Sequence, residues 1–94
     1  MADMHVIRLP NRFDFSQHKA FSLQTEQALA VPGIKQLEID FSQVQYLDSS
    51  ALGMLVLLSK RATSLHVTIQ LRGAQGTALD ILMMANMQKL FTFV

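Results

Sequence analysis

Cysteine is absent from the 94-residue chain. That excludes a disulfide framework, a zinc–thiolate centre and thiol redox chemistry. The fold must therefore hold by its core alone, at a size where burial is only just sufficient. Charge is scarce too: Asp, Glu, Lys and Arg make up 16% of the residues and leave a formal net charge of +1. The basic residues are scattered, and only Lys60 and Arg61 stand together. The clustered basic face that nucleic-acid binding requires is missing. The four glycines stand singly or in turns, so no glycine-rich loop cradles a phosphate.

Long apolar runs are also lacking. The longest, counting Gly53, is Ala51 to Leu58, far short of the ~20 residues of a membrane span. The N-terminal "MADMHVIRLP" carries no apolar stretch of signal-peptide length behind a basic start. These features describe one soluble, cytoplasmic domain over residues 1–94. His5, His18 and His66 are dispersed, without i, i+4 spacing or paired carboxylates, so neither a metal site nor a cofactor is expected. Ser49 has no nucleophile-elbow glycines around it, and the chain does not read as an enzyme.

What is present is apolar residue, half of the chain, in alternating and helical patterns. His5 to Pro10 reads as a strand with Ile7 and Leu9 on one face. Ser16 to about Ala30 reads as a helix capped by Ser16 and stopped by "VPG". Gln36 to Phe41 alternates Leu37, Ile39 and Phe41 against Glu38 and Asp40. Ser49 to Thr63 is a second helix, and Leu65 to Leu71 a further alternating strand. Thr77 and Asp80 have capping-box spacing at the start of a third helix, "TALDILMMANM", whose Met83, Met84 and Met87 read as core. "LFTFV" closes the chain as a strand. Strand–helix alternation implies crossovers and a mainly parallel sheet of four to five strands. Strands that alternate are buried on one face only. The expected architecture is a two-layer α/β sandwich with its helices on one face.

The second helix is unusual. In "YLDSSALGMLVLLSKRATS", Ala51, Leu55, Leu58 and Ala62 form one stripe at helical spacing, but Leu52, Met54 and Val56 spread beyond it. Those three are either buried by neighbouring helices or exposed as an apolar surface that docks a partner. The serines pose a similar choice. Asp48 or Ser49 caps the helix, or a first-turn serine accepts a phosphate held by free N–H groups and the helix dipole.

The stretch "LEIDFSQVQYLDSSALGML" closely resembles the core of STAS domains, named for sulphate transporters and anti-sigma factor antagonists. The resemblance runs from the first strand to "LFTFV" and implies a STAS-like sandwich. It further implies phosphorylation of Ser49, with Ser50 the second choice, by a GHKL-type serine kinase that is also an anti-sigma factor. A PP2C-type phosphatase would remove the phosphate, and the unphosphorylated antagonist would bind the kinase and displace its other client. Asp14, in "NRFDF", matches a second family acid, so that Asp14 and Asp48 flank the acceptor. Asn11 stands where the family often has glycine, and Ala51 where glycine is commoner. Such Ala-containing versions resemble members tied to biofilm or stress partner switching. Small STAS proteins that sit constitutively on the cytoplasmic ATPase of a lipid-transport ABC complex also resemble this chain. The leucines of the second helix would serve a homodimer equally well.

Overall fold

The computed structural model describes residues 4–94. The alternating segments become strands β1 (Met4–Arg8), β3 (Gln36–Asp40) and β5 (Thr68–Arg72), joined by the short β6 (Thr92–Phe93) in one parallel sheet of order β1-β3-β5-β6. Two further short strands, β2 (Arg12–Phe13) and β4 (Tyr46–Leu47), pair parallel to each other in a separate bridge. Helices α1 (His18–Leu29), α2 (Ser49–Ser64) and α3 (Gly76–Met84) occupy the crossovers.

Register explains the core. Ile7 lies beside Ile39 and Ile39 beside Leu71, while Leu37 lies beside Ile69. All are buried and share one cluster with Phe21 and Ala28 of α1, Ala51, Leu55 and Leu58 of α2, and Ala78 and Leu82 of α3. The helices thus cover one face of the sheet, as the alternation requires. The other face carries a polar ladder. Gln36 Nε2 donates to Gln70 Oε1 at 2.7 Å, and Gln70 Nε2 donates to Glu38 Oε1 at 2.6 Å. Arg72 Nε stands 3.0 Å from the same carboxylate. Glu38 is only 6% exposed, a burial that these donors make tolerable.

Several expected boundaries shift, each for a local reason. Ser16 does not cap the first helix. Asp14 accepts from the Ser16 N–H and hydroxyl, which sets a 3-10 turn over Phe15–Gln17, and α1 begins only at His18. His66 adopts φ 60°, and Val67 N–H closes on Ala62 O at 2.8 Å. The chain is therefore still turning there, and β5 starts at Thr68 with Leu65 left exposed. The Thr77–Asp80 capping box does not form. Gln75 takes the cap position without a side-chain hydrogen bond. Asn86 enters the left-handed region at φ 62° and ends α3 early. Met87 remains buried in the next turn, but Met83 and Met84 face solvent rather than core.

Candidate functional site

The site grows out of the two-stranded bridge. Parallel pairing sets Arg12 beside Tyr46 and Phe13 beside Leu47. Successive strand residues point to opposite sides. Phe13 and Leu47 turn inward, 0% and 2% exposed, and Phe13 packs on the rings of Phe21 and Phe41 at 5.0 and 6.1 Å. This aromatic anchor fixes the bridge to the core. Arg12 and Tyr46, one strand spacing (~4.8 Å) apart, consequently leave from the other side, and Asp14 and Asp48 are the extended residues that follow each strand.

The two acids do the same structural job. Each follows its strand in extended backbone, with φ −134° at Asp14 and −113° at Asp48, and each caps the turn that follows. Asp48 Oδ1 accepts from the Ala51 N–H at 2.9 Å, opening α2. Asp14 Oδ1 accepts from the Ser16 N–H at 3.0 Å. The Ser16 hydroxyl, donating to the Asp14 carboxylate, holds its pKa below the ordinary value; the Ser16 N–H and Arg12 pull the same way. Arg12 Nε lies 3.3 Å from Asp14 Oδ2, and its guanidinium carbon lies 4.9 Å above the Tyr46 ring.

Ser49, the first residue of α2, is exposed, Ser50 is half-buried and Ala51 is buried. With the Ala51 N–H taken by Asp48 and the Leu52 N–H directed to Asp48 O at 3.3 Å, the first-turn N–H groups of Ser49 and Ser50 are those the helix leaves over. Of the two serines of this turn, Ser49 is the more exposed. Met54 points elsewhere. It is 8% exposed and lines the α1–α2 groove with His18, Phe21 and Thr25. Leu52 and Val56 are half-buried, and Leu57, which the periodicity did not single out, is 50% exposed. Ser49, Gly53 and Leu57 follow one another at i, i+4 spacing on the outward side of α2, and Gly53 has open space where a side chain would be. Phe15 adds an exposed ring one residue past Asp14, stacked on His18 at 5.7 Å. Among the described residues, no group of three His, Asp or Glu is placed to hold a metal ion.

Sequence reasoning placed both acids and the serine here but missed Arg12 and Tyr46. A signal for them exists: "RFDFS" and "YLDSS" share the order polar or aromatic residue, apolar residue, Asp, any residue, Ser. Two copies of one strand-to-cap pattern are what a parallel bridge between two capped turns looks like in sequence.

Comparison with known proteins identifies the family and the fold. The family model described as "Mlab, STAS domain" matches residues 2–92. A STAS-domain containing protein of Pseudomonas aeruginosa (strain UCBPP-PA14), PA14_20770, is 35% identical over 85 residues, which span 90% of this chain and 82% of that protein. The chain belongs to the STAS-domain family. Among solved structures, TM1081 of Thermotoga maritima superposes with TM-score 0.84 at 19% identity, over 99% of this chain and 80% of its own. The unphosphorylated anti-sigma factor antagonist SpoIIAA gives 0.75 at 16% identity, over 98% and 79%. The phosphorylated form of the Bacillus protein gives 0.73 at 14% identity, over 98% and 83%. These structures share the fold, and no helix among the described residues is long and apolar enough to cross a membrane.

Proposed function

We propose that this STAS-domain protein is a non-enzymatic partner-switching regulator of the anti-sigma factor antagonist kind. It binds a GHKL-type serine kinase when unphosphorylated and is released by phosphorylation of Ser49. In the transfer step the Ser49 Oγ–P bond forms and the bond from the γ-phosphorus to the bridging oxygen of ATP breaks. ADP leaves with that electron pair, and the hydroxyl proton passes to a carboxylate base of the kinase. A PP2C-type phosphatase reverses the modification by hydrolysis, and the cycle runs in the cytoplasm.

The observation that carries this reading is the exposed Ser49 on the first turn of a helix capped by Asp48, with Leu57 and the half-buried Leu52 and Val56 further along the same helix. A phosphate there adds nearly two negative charges. The leftover N–H groups and the helix dipole stabilise it. An apolar strip that a partner covers becomes the edge of a doubly charged site, and like-charge juxtaposition at an interface costs several kcal/mol.

The test is phosphate incorporation and partner affinity in paired variants. Ser49→Ala keeps kinase binding and removes labelling; labelling at the wild-type level sinks the assignment. Ser49→Asp weakens binding by about tenfold or more, about 1.4 kcal/mol per decade; unchanged calorimetric affinity refutes the switch. A second reading follows from the same strip, which needs no phosphate to be apolar: permanent seating on the ATPase of a lipid-transport ABC complex. Co-purification of an ABC ATPase, with Ser49 unmodified in growing and stressed cells, selects it.

A further inference from the structure

Asp48, next to Ser49, and Asp14, which follows the strand paired with the one before Asp48, create a difficulty that phosphorylation makes worse. A phosphoserine at 49 would bring nearly two more negative charges into a corner already holding Asp14 and Asp48. The first-turn N–H groups answer part of that, but one of them is spent on Asp48 Oδ1. The bridge supplies a cation on the same side. Arg12 shares its strand face with Asp14 and is paired in register with Tyr46, two residues ahead of Asp48. Its side chain is 67% exposed. It is held on Asp14 through Nε alone, at 3.3 Å, so the terminal nitrogens of the guanidinium keep their donors for another acceptor.

Tyr46 makes the arrangement movable. The guanidinium carbon lies 4.9 Å above its ring. That cation–π contact supports the group from below without fixing which carboxylate or phosphate its edge addresses. A guanidinium fork matches phosphate oxygens in two parallel hydrogen bonds, stronger than the single Nε contact it makes with Asp14.

We propose that Arg12 is the phosphate latch of this site. It rests on Asp14 over Tyr46 while Ser49 is unmodified, and it turns its terminal nitrogens to the phosphate once Ser49 carries one. The inference rests on Ser49 as the modified residue and adds what the modified state is held by. Arg12 is a positioning residue: it selects the rotamer of the phosphate and offsets Asp14 and Asp48. The groups that face the phosphate are then Arg12 from β2, Asp14 from the cap after it, the Ser16 hydroxyl from the following turn, Tyr46 and Asp48 from β4 and its cap, and the first-turn N–H groups of α2.

The experiment separates this from the question of whether cells phosphorylate the protein. Phosphoserine is encoded at position 49 during translation in the full-length chain, and the second ionisation of the phosphate is followed by phosphorus NMR against pH. An opposite charge in contact lowers such a pKa by about one unit or more. Arg12→Gln is therefore expected to raise it by about one unit, a tenfold gain in proton affinity, with Arg12→Lys in between. Asp14→Asn, which frees Arg12, lowers it further. A pKa that is the same in wild type and Arg12→Gln overturns the latch. So does a drop in Asp14→Asn that persists undiminished in the Arg12→Gln/Asp14→Asn double variant, since that drop is then lost negative charge alone. Far-UV circular dichroism checks that each exposed-site variant is folded. If native protein never carries phosphate in growing or stressed cells, the switch reading fails while the encoded-phosphoserine result still decides the role of Arg12.

Discussion

Replacement of Asp48 separates the helix cap from the modification proposed for Ser49, because the cap rests on Asp48 alone. Asp48 Oδ1 accepts the Ala51 N–H at 2.9 Å, so the cap is a property of residue 48. Ser49 sits one position inside the helix with its side chain exposed. Asp48→Ala removes the acceptor and leaves a first-turn donor beside buried Ala51. Loss of such a cap costs about 1 kcal/mol, within a range of about 0.5–2. Part of that is the favourable position of a carboxylate at the positive end of the helix. A domain of this size has a total stability of ~5–15 kcal/mol, so the variant still folds, with its melting temperature lower by ~4–8 °C.

Asp48→Asn keeps an equivalent acceptor, since Asn and Asp cap about equally well. It should cost only a few tenths of a kcal/mol while removing the charge next to Ser49. Ser49→Ala should cost about as little, because alanine is a good residue inside a helix and the exposed hydroxyl is not the cap. Urea unfolding followed by far-UV circular dichroism ranks the three. If Asp48→Ala and Asp48→Asn fall together, the hydrogen bond to Ala51 contributes nothing and the cap argument is refuted. If Ser49→Ala loses about 1 kcal/mol, the serine is structural, and its exposure no longer argues for modification.

Two other perturbations test the polar side of the sheet. Glu38→Ala withdraws the carboxylate that accepts from Gln70 Nε2 at 2.6 Å and pairs with Arg72, leaving polar groups of the ladder unmatched. It should cost about 1–3 kcal/mol, with Glu38→Gln much milder because an amide oxygen still accepts and Arg72 is half exposed; equal losses in thermal denaturation would refute the ladder. Asp40 has its pKa held below the ordinary carboxylate value, first by the Ser42 N–H, which donates to Oδ1 at 2.8 Å, then by the Ser42 hydroxyl and nearby Arg8. A folded-state pKa below the unfolded value gives stability that is present above the unfolded value and lost as pH falls through the folded one. Asp40→Asn should therefore flatten the acid limb of the urea midpoint against pH, and an unchanged limb would refute that assignment.

Strands were legible from the sequence wherever one face is buried. Leu37-Ile39-Phe41 against Glu38-Asp40 fixed both the element and its orientation, since a period of two leaves a strand no other way to bury its apolar set. Glu38 was legible only in part: it takes its place on the polar face, yet its partners there, Gln70 and Arg72, come from one strand distant in sequence, β5. Caps were read less well. Ser16 and Thr77 have the right residue types, but a cap depends on which acceptor reaches the N–H groups first. Asp14, two residues earlier, takes the Ser16 N–H, and α3 needs no side-chain cap at all. Met54 shows the limit of helical periodicity. It falls outside the main stripe of α2, but α1 packs close enough to bury it, and that depends on a neighbouring helix rather than on α2 itself.

The bridge was illegible for a different reason, and that reason bears on function. Two residues per strand are too few to show a period, and "NRFDF" reads as a break in the pattern. Yet this pairing sets Arg12 beside Tyr46 and Phe13 beside Leu47, with Asp14 and Asp48 the residues that follow each strand. Its hold on the core is Phe13, fully buried against Phe21 and Phe41. The charged face of the site is thus built on the back of an aromatic cluster, with each residue pair turned outward because its neighbours are turned inward. Loss of the Phe13 ring would cost core stability and, in the same step, release Arg12 from its register with Tyr46. The outward Arg12–Tyr46 pair and the inward Phe13–Leu47 pair are two faces of one four-residue bridge.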